Sequence, residues 1–359
     1  MIALQGLTPN TLVDAFPEVS LAEARKVISA LVRRGPEGLV GPIEQVRRTA
    51  LAALGARGHL PALRVLAERK SAVDPFVKYL FETADGEKIE TVRIPLENPG
   101  RFSVCVSSQV GCALGCAFCA TGRLGLRRNL ETWEIVEQVR FVRERIPATS
   151  EGPLGGPRPR VHGVVFQGMG EPLSNADRVL EAIRVMTEPS GLAIDARAIT
   201  VCTSGLPSGI RRLALEAPKV RLGLSIASAR RAVRKSLMPI DDAHSLEVVL
   251  DAVAFHVEKT GLGPLFAITL LEGHNDTPED AKALAELVRT FHDRTGKRPR
   301  LSIIPYNAIS DVDDPFVRSA ASREDAFREA LRDGGVFTHK RYSGGGDVDA
   351  ACGQLAGKG

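Results

Sequence analysis

The chain has 359 residues, 44% of them hydrophobic, with 47 basic against 43 acidic residues and a net charge of +4. That length suffices for one large α/β domain with a smaller appendage, and every apolar run is shorter than the roughly 18–20 residues that span a bilayer. The near-balanced charge is weak support for a nucleic-acid partner, because dedicated binders concentrate their charge more.

Residues 1–72 read as a helical accessory unit with basic polar faces, either an RNA-docking domain or a packing lid. Ser20-Leu21-Ala22-Glu23 is a capping-box sequence. Apolar positions at helical spacing follow it, with Gly35 as the stop. Pro42 is expected to open a second helix that ends at Gly55, and a third is expected from Leu60 to Ala67. Met1-Ile2-Ala3-Leu4-Gln5-Gly6 lacks the basic and apolar regions of a secretory signal. Six cysteines are too few for a disulfide scaffold and suit a reducing compartment, so a cytoplasmic protein is expected.

Over residues 73–101 the period changes to two. Phe76–Phe81, the turn Asp85-Gly86 and Ile89–Ile94 predict a β-hairpin. Residues 102–342 then alternate strands and helices. Strands are expected at Phe102–Ser107, Gly163–Gln167, Ala198–Thr203, Val220–Ile226, Leu265–Leu271 and Arg300–Pro305. Helices are expected near Thr132–Arg145, Asn175–Met186, Gly209–Leu215, Ser245–Lys259 and Pro278–Thr295. Six βα repeats imply a parallel sheet, since parallel neighbours need crossover helices. The expected fold is α/β, an open (βα)6 partial barrel. Thr149–Pro157 reads as a surface loop within it, and residues 343–359 as a C-terminal tail.

Cys112, Cys116 and Cys119 form a Cys-x-x-x-Cys-x-x-Cys motif after the first core strand. Three thiolates hold a [4Fe–4S] cluster with one iron left open. CxxxCxxC with an aromatic before the last cysteine, here Phe118, is the radical S-adenosylmethionine signature, in which the methionine amino and carboxylate groups take that iron. A structural zinc is the alternative, but it wants four nitrogen or sulfur ligands, and only Cys105 lies nearby. Active sites of α/β barrels gather at the C-terminal ends of the strands, where this motif falls. Gly168-Met169-Gly170-Glu171-Pro172 follows the second strand; its glycines permit close backbone approach, and Glu171 can accept from a ligand ammonium. Cys352 lies in Asp347–Leu355, and is read as a thiolate nucleophile or covalent carrier on a tail folded over the mouth, against an incidental thiol on a mobile tail. Cys105 lies in the first strand, within reach of it. Basic pairs, among them Arg47-Arg48, Arg127-Arg128, Arg211-Arg212 and Arg230-Arg231 with Arg234-Lys235, are either RNA contacts or solvated helix faces.

Several stretches resemble the RlmN/Cfr-type radical-SAM adenine methyltransferases of large-subunit ribosomal RNA. They are Ile89–Pro95, Cys105–Gly122, Arg128-Asn129-Leu130, Gly168–Leu173, Thr203-Ser204-Gly205, Ile304-Pro305-Tyr306-Asn307 and Asp347–Leu355. The resemblance implies a [4Fe–4S] cluster on Cys112, Cys116 and Cys119. It also implies S-adenosylmethionine contacts from Gly170, Glu171, Cys202, Ser225, Ile226, Ala227 and Asn307. The implied reaction has two stages: Cys352 is methylated by displacement, then a 5′-deoxyadenosyl radical takes hydrogen from that methyl group. The carbon radical adds to an adenine ring carbon, Glu90 accepts a proton, and Cys105 resolves the cross-link through a transient disulfide with Cys352. Carbon 2 of adenine in ribosomal RNA is the expected target, with transfer RNA as a further substrate. An electron donor such as flavodoxin or ferredoxin, and a monomeric protein without membrane attachment, are also implied. The chain departs from the family at Cys202, where serine is usual, and at Ala227, where histidine or another polar residue is usual. The segments Ala308–Pro315 and Ser343-Gly344-Gly345 also differ. The alternatives are carbon-8 methylation, a radical-SAM reaction in which Cys352 is dispensable, and a non-catalytic RNA-binding or iron-sensing relative.

Overall fold

The computed structural model describes residues 1–98, 100–146, 160–309, 313–340 and 343–357. The N-terminal unit carries β1 (Ile2–Ala3), α1 (Pro9–Ala15), α2 (Leu21–Arg34), α3 (Arg48–Arg57) and β2 (Gly58–His59), with β1 and β2 paired in parallel. Ser20 and Glu23 form the expected capping box at the start of α2. Its own core holds Leu12, Phe16, Val27, Leu31 and Leu54.

The expected third helix is replaced by a strand, β3 (Arg64–Lys70), the antiparallel partner of β4 (Val77–Glu82). It is the edge of the sheet and exposed along most of its length, so its charged sequence lacks the alternation that burial of one face would impose. The hairpin is as expected, β4 pairing with β5 (Lys88–Pro95) across Asp85-Gly86.

The core follows as β6 (Phe102–Val106), β7 (Gln109–Gly111), α4 (Ala120–Arg123), β8 (Leu126–Asn129), α5 (Thr132–Glu144), β9 (Val161–Phe166), α6 (Ala176–Thr187) and β10 (Ile199–Thr203). It continues with α7 (Pro207–Glu216), β11 (Arg221–Ser225), α8 (Arg231–Leu237), α9 (Leu246–Thr260), β12 (Leu265–Leu270), α10 (Pro278–Thr295), β13 (Arg300–Pro305), α11 (Ala321–Asp333) and β14 (Thr338–Lys340). All six expected core strands and their five helices form. β7, α4, β8, α8, α11 and β14 were not expected. The sheet runs β14-β13-β12-β11-β10-β9-β6-β5-β4-β3, parallel from β14 to β6 and antiparallel from β6 to β3. Its strand order is that of an open partial barrel extended by the hairpin. The loop expected at Thr149–Pro157 lies outside the described residues.

β6 is the seam of the two halves, with Cys105 opposite Val92 of β5 and Val165 of β9. On one face of the extension, Tyr79 and Phe81 meet Phe141 of α5 edge-on. The opposite face is covered by the C-terminal tail. Among the described residues no helix is long and apolar enough to cross a membrane.

Candidate active site

Parallel strands bring their C-terminal ends to one mouth, and the cysteine loop after β6 is fastened there. Cys112 N donates to Gly125 O at 3.0 Å, and Ala117 N to Leu237 O at 3.0 Å. Arg123 donates to Ala117 O through Nε and Nη2 at 3.0 and 2.8 Å, and Nη2 also meets Asp314 Oδ1 at 3.0 Å. Cys112, Cys116 and Cys119 all line one cavity, with Gly170, Glu171, Cys202, Ser204, Ser225 and Ala227 on its other walls. Burial pushes the Cys112 thiol up to about 11, and burial with its neighbouring thiols pushes Cys116 up to about 12. Burial raises Cys119 as well. Such thiols stay protonated unless a cationic centre takes them as thiolates. Among the described residues no three His, Cys, Asp or Glu side chains converge tightly enough to hold a single ion. A cluster asks instead for one thiolate per iron, spread around its corners, and three cysteines on one cavity wall fit that demand.

The Gly168–Pro172 turn forms the facing wall. Gly170 has φ of +96°, and a Cβ there would lie 2.5 Å from Gln109 Cβ, so only glycine fits. Gln109 Oε1 accepts from Glu171 N at 2.8 Å. The Glu171 carboxylate is buried and accepts from Leu173 N at 3.0 Å and Ser204 N at 2.9 Å. Burial nevertheless raises it to about 7.

The tail returns over this mouth. Ala120 N donates to Gly353 O at 2.8 Å, and Thr121 Oγ1 donates to Leu355 O. Asn307 Nδ2 donates to Ser343 Oγ at 2.9 Å and Cys352 O at 3.2 Å, and Gln354 Nε2 to Ala308 O at 2.9 Å. Ala72 N and Gly345 N add bonds to Asp347 Oδ2 at 2.8 Å and Asp74 Oδ2 at 2.9 Å. Cys352 thereby joins the lining of the cavity of Cys112, Cys116 and Cys119. It also lines a second cavity with Phe76, Ile94 and Cys105. Cys352, Gln167 and Ile304 are common to both and form the partition. Cys105 and Cys352 are both outside any disulfide.

Residues 106–288 match the Radical SAM superfamily. A probable RNA methyltransferase of Sorangium cellulosum is 57% identical over 354 residues, covering 94% of this chain and 88% of that protein. The dual-specificity RNA methyltransferase RlmN of Syntrophobacter fumaroxidans is 43% identical over 82% of this chain and 80% of its own length. The chain belongs to the RlmN-type radical SAM RNA methyltransferases. A crystal structure of a radical SAM methyltransferase from Sphaerobacter thermophilus superposes over the whole of both chains, with a TM-score of 0.86 at 35% identity. Membership makes the protein an S-adenosylmethionine-dependent enzyme acting on RNA, and implies a [4Fe–4S] cluster.

Not every residue carried over from the family lines the cavity of the three motif cysteines in this methyltransferase. Gly170, Glu171, Cys202, Ser225 and Ala227 do. Ile226 is buried behind the wall, its N–H donating to Ala267 O at 2.8 Å. Asn307 holds the tail, and Glu90 lies beneath it. Ala227 sits at φ +58°, and its carbonyl accepts from Asn275 Nδ2 at 2.7 Å.

The reading of Arg230, Arg231, Arg234 and Lys235 as one surface patch needs correction. Arg234 is fully buried and pairs with Asp241 at 2.9 Å. It donates to Ser204 O at 3.0 Å, Ser225 O at 3.1 Å and Ile226 O, tying together the ends of β10 and β11. Its neighbours Arg230 and Lys235 pair with Asp280 and Asp242. Arg47, Arg128 and Arg212 are likewise paired, with Glu23, Glu134 and Asp177. Sequence reasoning missed the two braces of this cavity wall, Arg234 and Asn275. Asn275 Nδ2 also reaches Thr269 O at 2.8 Å, and its Oδ1 accepts from Leu271 N at 2.8 Å. A cation spaced for a helix face carries no sign that it turns inward.

Proposed function

We propose that this enzyme methylates an adenine ring carbon, carbon 2, of ribosomal RNA and also acts on transfer RNA, with Cys352 as the methyl carrier. Support comes from Cys352 lining both the cavity of the three motif cysteines and the cavity of Cys105. A thiol on that partition can face a methyl donor on one side and a base on the other.

Cys112, Cys116 and Cys119 would hold the cluster, with S-adenosylmethionine against Gly170, Glu171, Cys202, Ser225 and Ala227 and with Ile226 and Asn307 supporting that wall from behind and from the tail. A cluster held there, reduced by a donor such as flavodoxin or ferredoxin, would supply the electron for hydrogen-abstracting radical chemistry at this site. Cys352 first attacks the sulfonium methyl as a thiolate, becoming a thioether. Its methyl carbon, after loss of hydrogen, bonds to the adenine carbon. The adenine must be unstacked and flipped into the second cavity to present that carbon. Glu90 takes the proton from the substituted ring. The adduct's unpaired electron would return to the oxidised cluster. The Cys105 thiolate then attacks the Cys352 sulfur to form a disulfide, the expelled methylene carbon takes up a proton to become the methyl group, and two electrons from the external donor reduce the disulfide to both thiols. Cys105 in β6 borders the same cavity as Cys352, which suits that final attack.

The test is mass spectrometry of host ribosomal and transfer RNA with and without the gene, looking for the loss of one methyladenosine. Cys105→Ala should accumulate RNA linked covalently to Cys352, and Cys352→Ala should carry none. RNA methylation at the wild-type rate by Cys352→Ala would overturn the carrier role.

A further inference from the structure

Side chains alternate across a strand, so residues paired or two apart in β4, β5 and β6 share a face. Lys78 lies opposite Val92, and Val92 lies opposite Cys105. Lys78, Glu90 and Cys105 therefore project to the side that the tail covers, away from α5. Phe76, Ile94 and Cys105 on this side line the second cavity. Against that apolar ground the two charges stand out.

Both are buried, with side chains 3% and 1% exposed, and Lys78 Nζ lies 2.9 Å from Glu90 Oε1. The contact is in ion-pair range, but Oε1 lacks the alignment of a hydrogen bond. A buried pair is favourable only when further hydrogen bonds satisfy its remaining lone pairs. Here they come from the tail: Ala356 N donates to Glu90 Oε2 at 2.7 Å and Gly357 N at 3.1 Å. Four residues before Ala356 is Cys352. On its other side Cys352 is fixed by Asn307, through its own carbonyl. The ion pair is thus the distal anchor of the segment that carries the thiol, in a place where an apolar pair would pack with less desolvation.

We infer that Lys78 is a positioning residue for the methyl carrier: acting through Glu90, it clasps the tail at Ala356 and Gly357 and holds Cys352 on the partition between the two cavities. This deepens the carrier reading and rests on it. A consequence is that Glu90 divides its two oxygens: Oε2 carries the two tail amides, so a substrate proton would go to Oε1 while the tail stays seated.

The experiment follows alkylation of Cys352 by iodoacetamide in the anaerobic full-length protein, read on its own peptide by mass spectrometry, without RNA or S-adenosylmethionine. Ala356→Pro removes the stronger amide donor without altering the sheet, and Lys78→Met removes the charge. Each should accelerate Cys352 alkylation about tenfold: Ala356→Pro loses a hydrogen bond to a charged group, and Lys78→Met loses the cation that keeps Glu90 charged to accept it. The double variant should react no faster than either single one, since both open the same clasp. Wild-type reactivity in Ala356→Pro, or additive acceleration in the double variant, overturns the inference. If Lys78→Met does not fold, Lys78→Gln, which also removes the cation, takes its place in the same comparison, and wild-type reactivity in it overturns the inference. Failure of the carrier reading registers separately, as RNA methylation that survives Cys352→Ala.

Discussion

Replacing Arg234 by methionine isolates the contribution of the brace behind the wall of the cysteine cavity. The substitution keeps much of the aliphatic volume but strands Asp241, 2% exposed, and takes a donor from three carbonyls at the ends of β10 and β11. Arg231 Nε, 3.9 Å from Asp241 Oδ2, is too far to take over the bond. Breaking a buried pair by removing one partner costs about 3–5 kcal/mol. With an unfolding entropy of about 2.1 cal/mol/K for each of the 359 residues, that is a fall in Tm of about 4–7 °C. The assay is thermal unfolding by far-ultraviolet circular dichroism on cluster-free protein, so that loss of the cluster does not enter. Arg234→Met/Asp241→Leu should regain about half of the loss, because the unpaired charge is gone while the carbonyls still lack a donor. A Tm within about 1 °C of wild type for Arg234→Met would show that the pair is not a brace, and would refute the reasoning.

Anaerobic protein should carry about four irons per chain, and alanine at Cys112, Cys116 or Cys119 should strip them while alanine at Cys105 or Cys352 should not; an iron assay decides. Gly170→Ala should weaken S-adenosylmethionine binding about tenfold in equilibrium dialysis, since a positive-φ side chain against Gln109 strains the turn by about 1–3 kcal/mol. His256 is buried, and burial lowers it to about 4. The unfolded chain therefore binds more protons between about pH 6.5 and 4, and stability falls as the pH drops through that window. His256→Leu should flatten this part of the stability profile, as measured by urea unfolding at several pH values.

The six core strands were legible because buried parallel strands are short apolar runs set between amphipathic helices. The cysteine loop was legible because its chemistry lies within eight residues, Cys112 to Cys119. β3 was not, since an edge strand exposed on both faces has no alternation to read. α8 was hidden for another reason: its arginines look like a solvated face, and only the carbonyls of Ser204, Ser225 and Ile226 reveal that one turns inward. The return of Cys352 to the mouth could be expected from the family resemblance. Its fastening to Asp74, Glu90 and Thr121 could not, because each of those bonds joins segments far apart in sequence.

Those fastenings also bear on how the molecule assembles. The bonds from Ala72 to Asp347 and from Ala356 to Glu90 span 275 and 266 residues. Contacts of such separation are favoured once the intervening chain has been ordered and their loop-closure cost reduced, so the tail is expected to dock onto a sheet that is already built. Protection of the Cys352 thiol during refolding would then count only molecules whose hairpin extension and cysteine loop have both reached their final positions. A chain with a misregistered hairpin would keep its motif cysteines together and still leave that thiol in solvent, which makes a single side chain a reporter on the completeness of the whole fold.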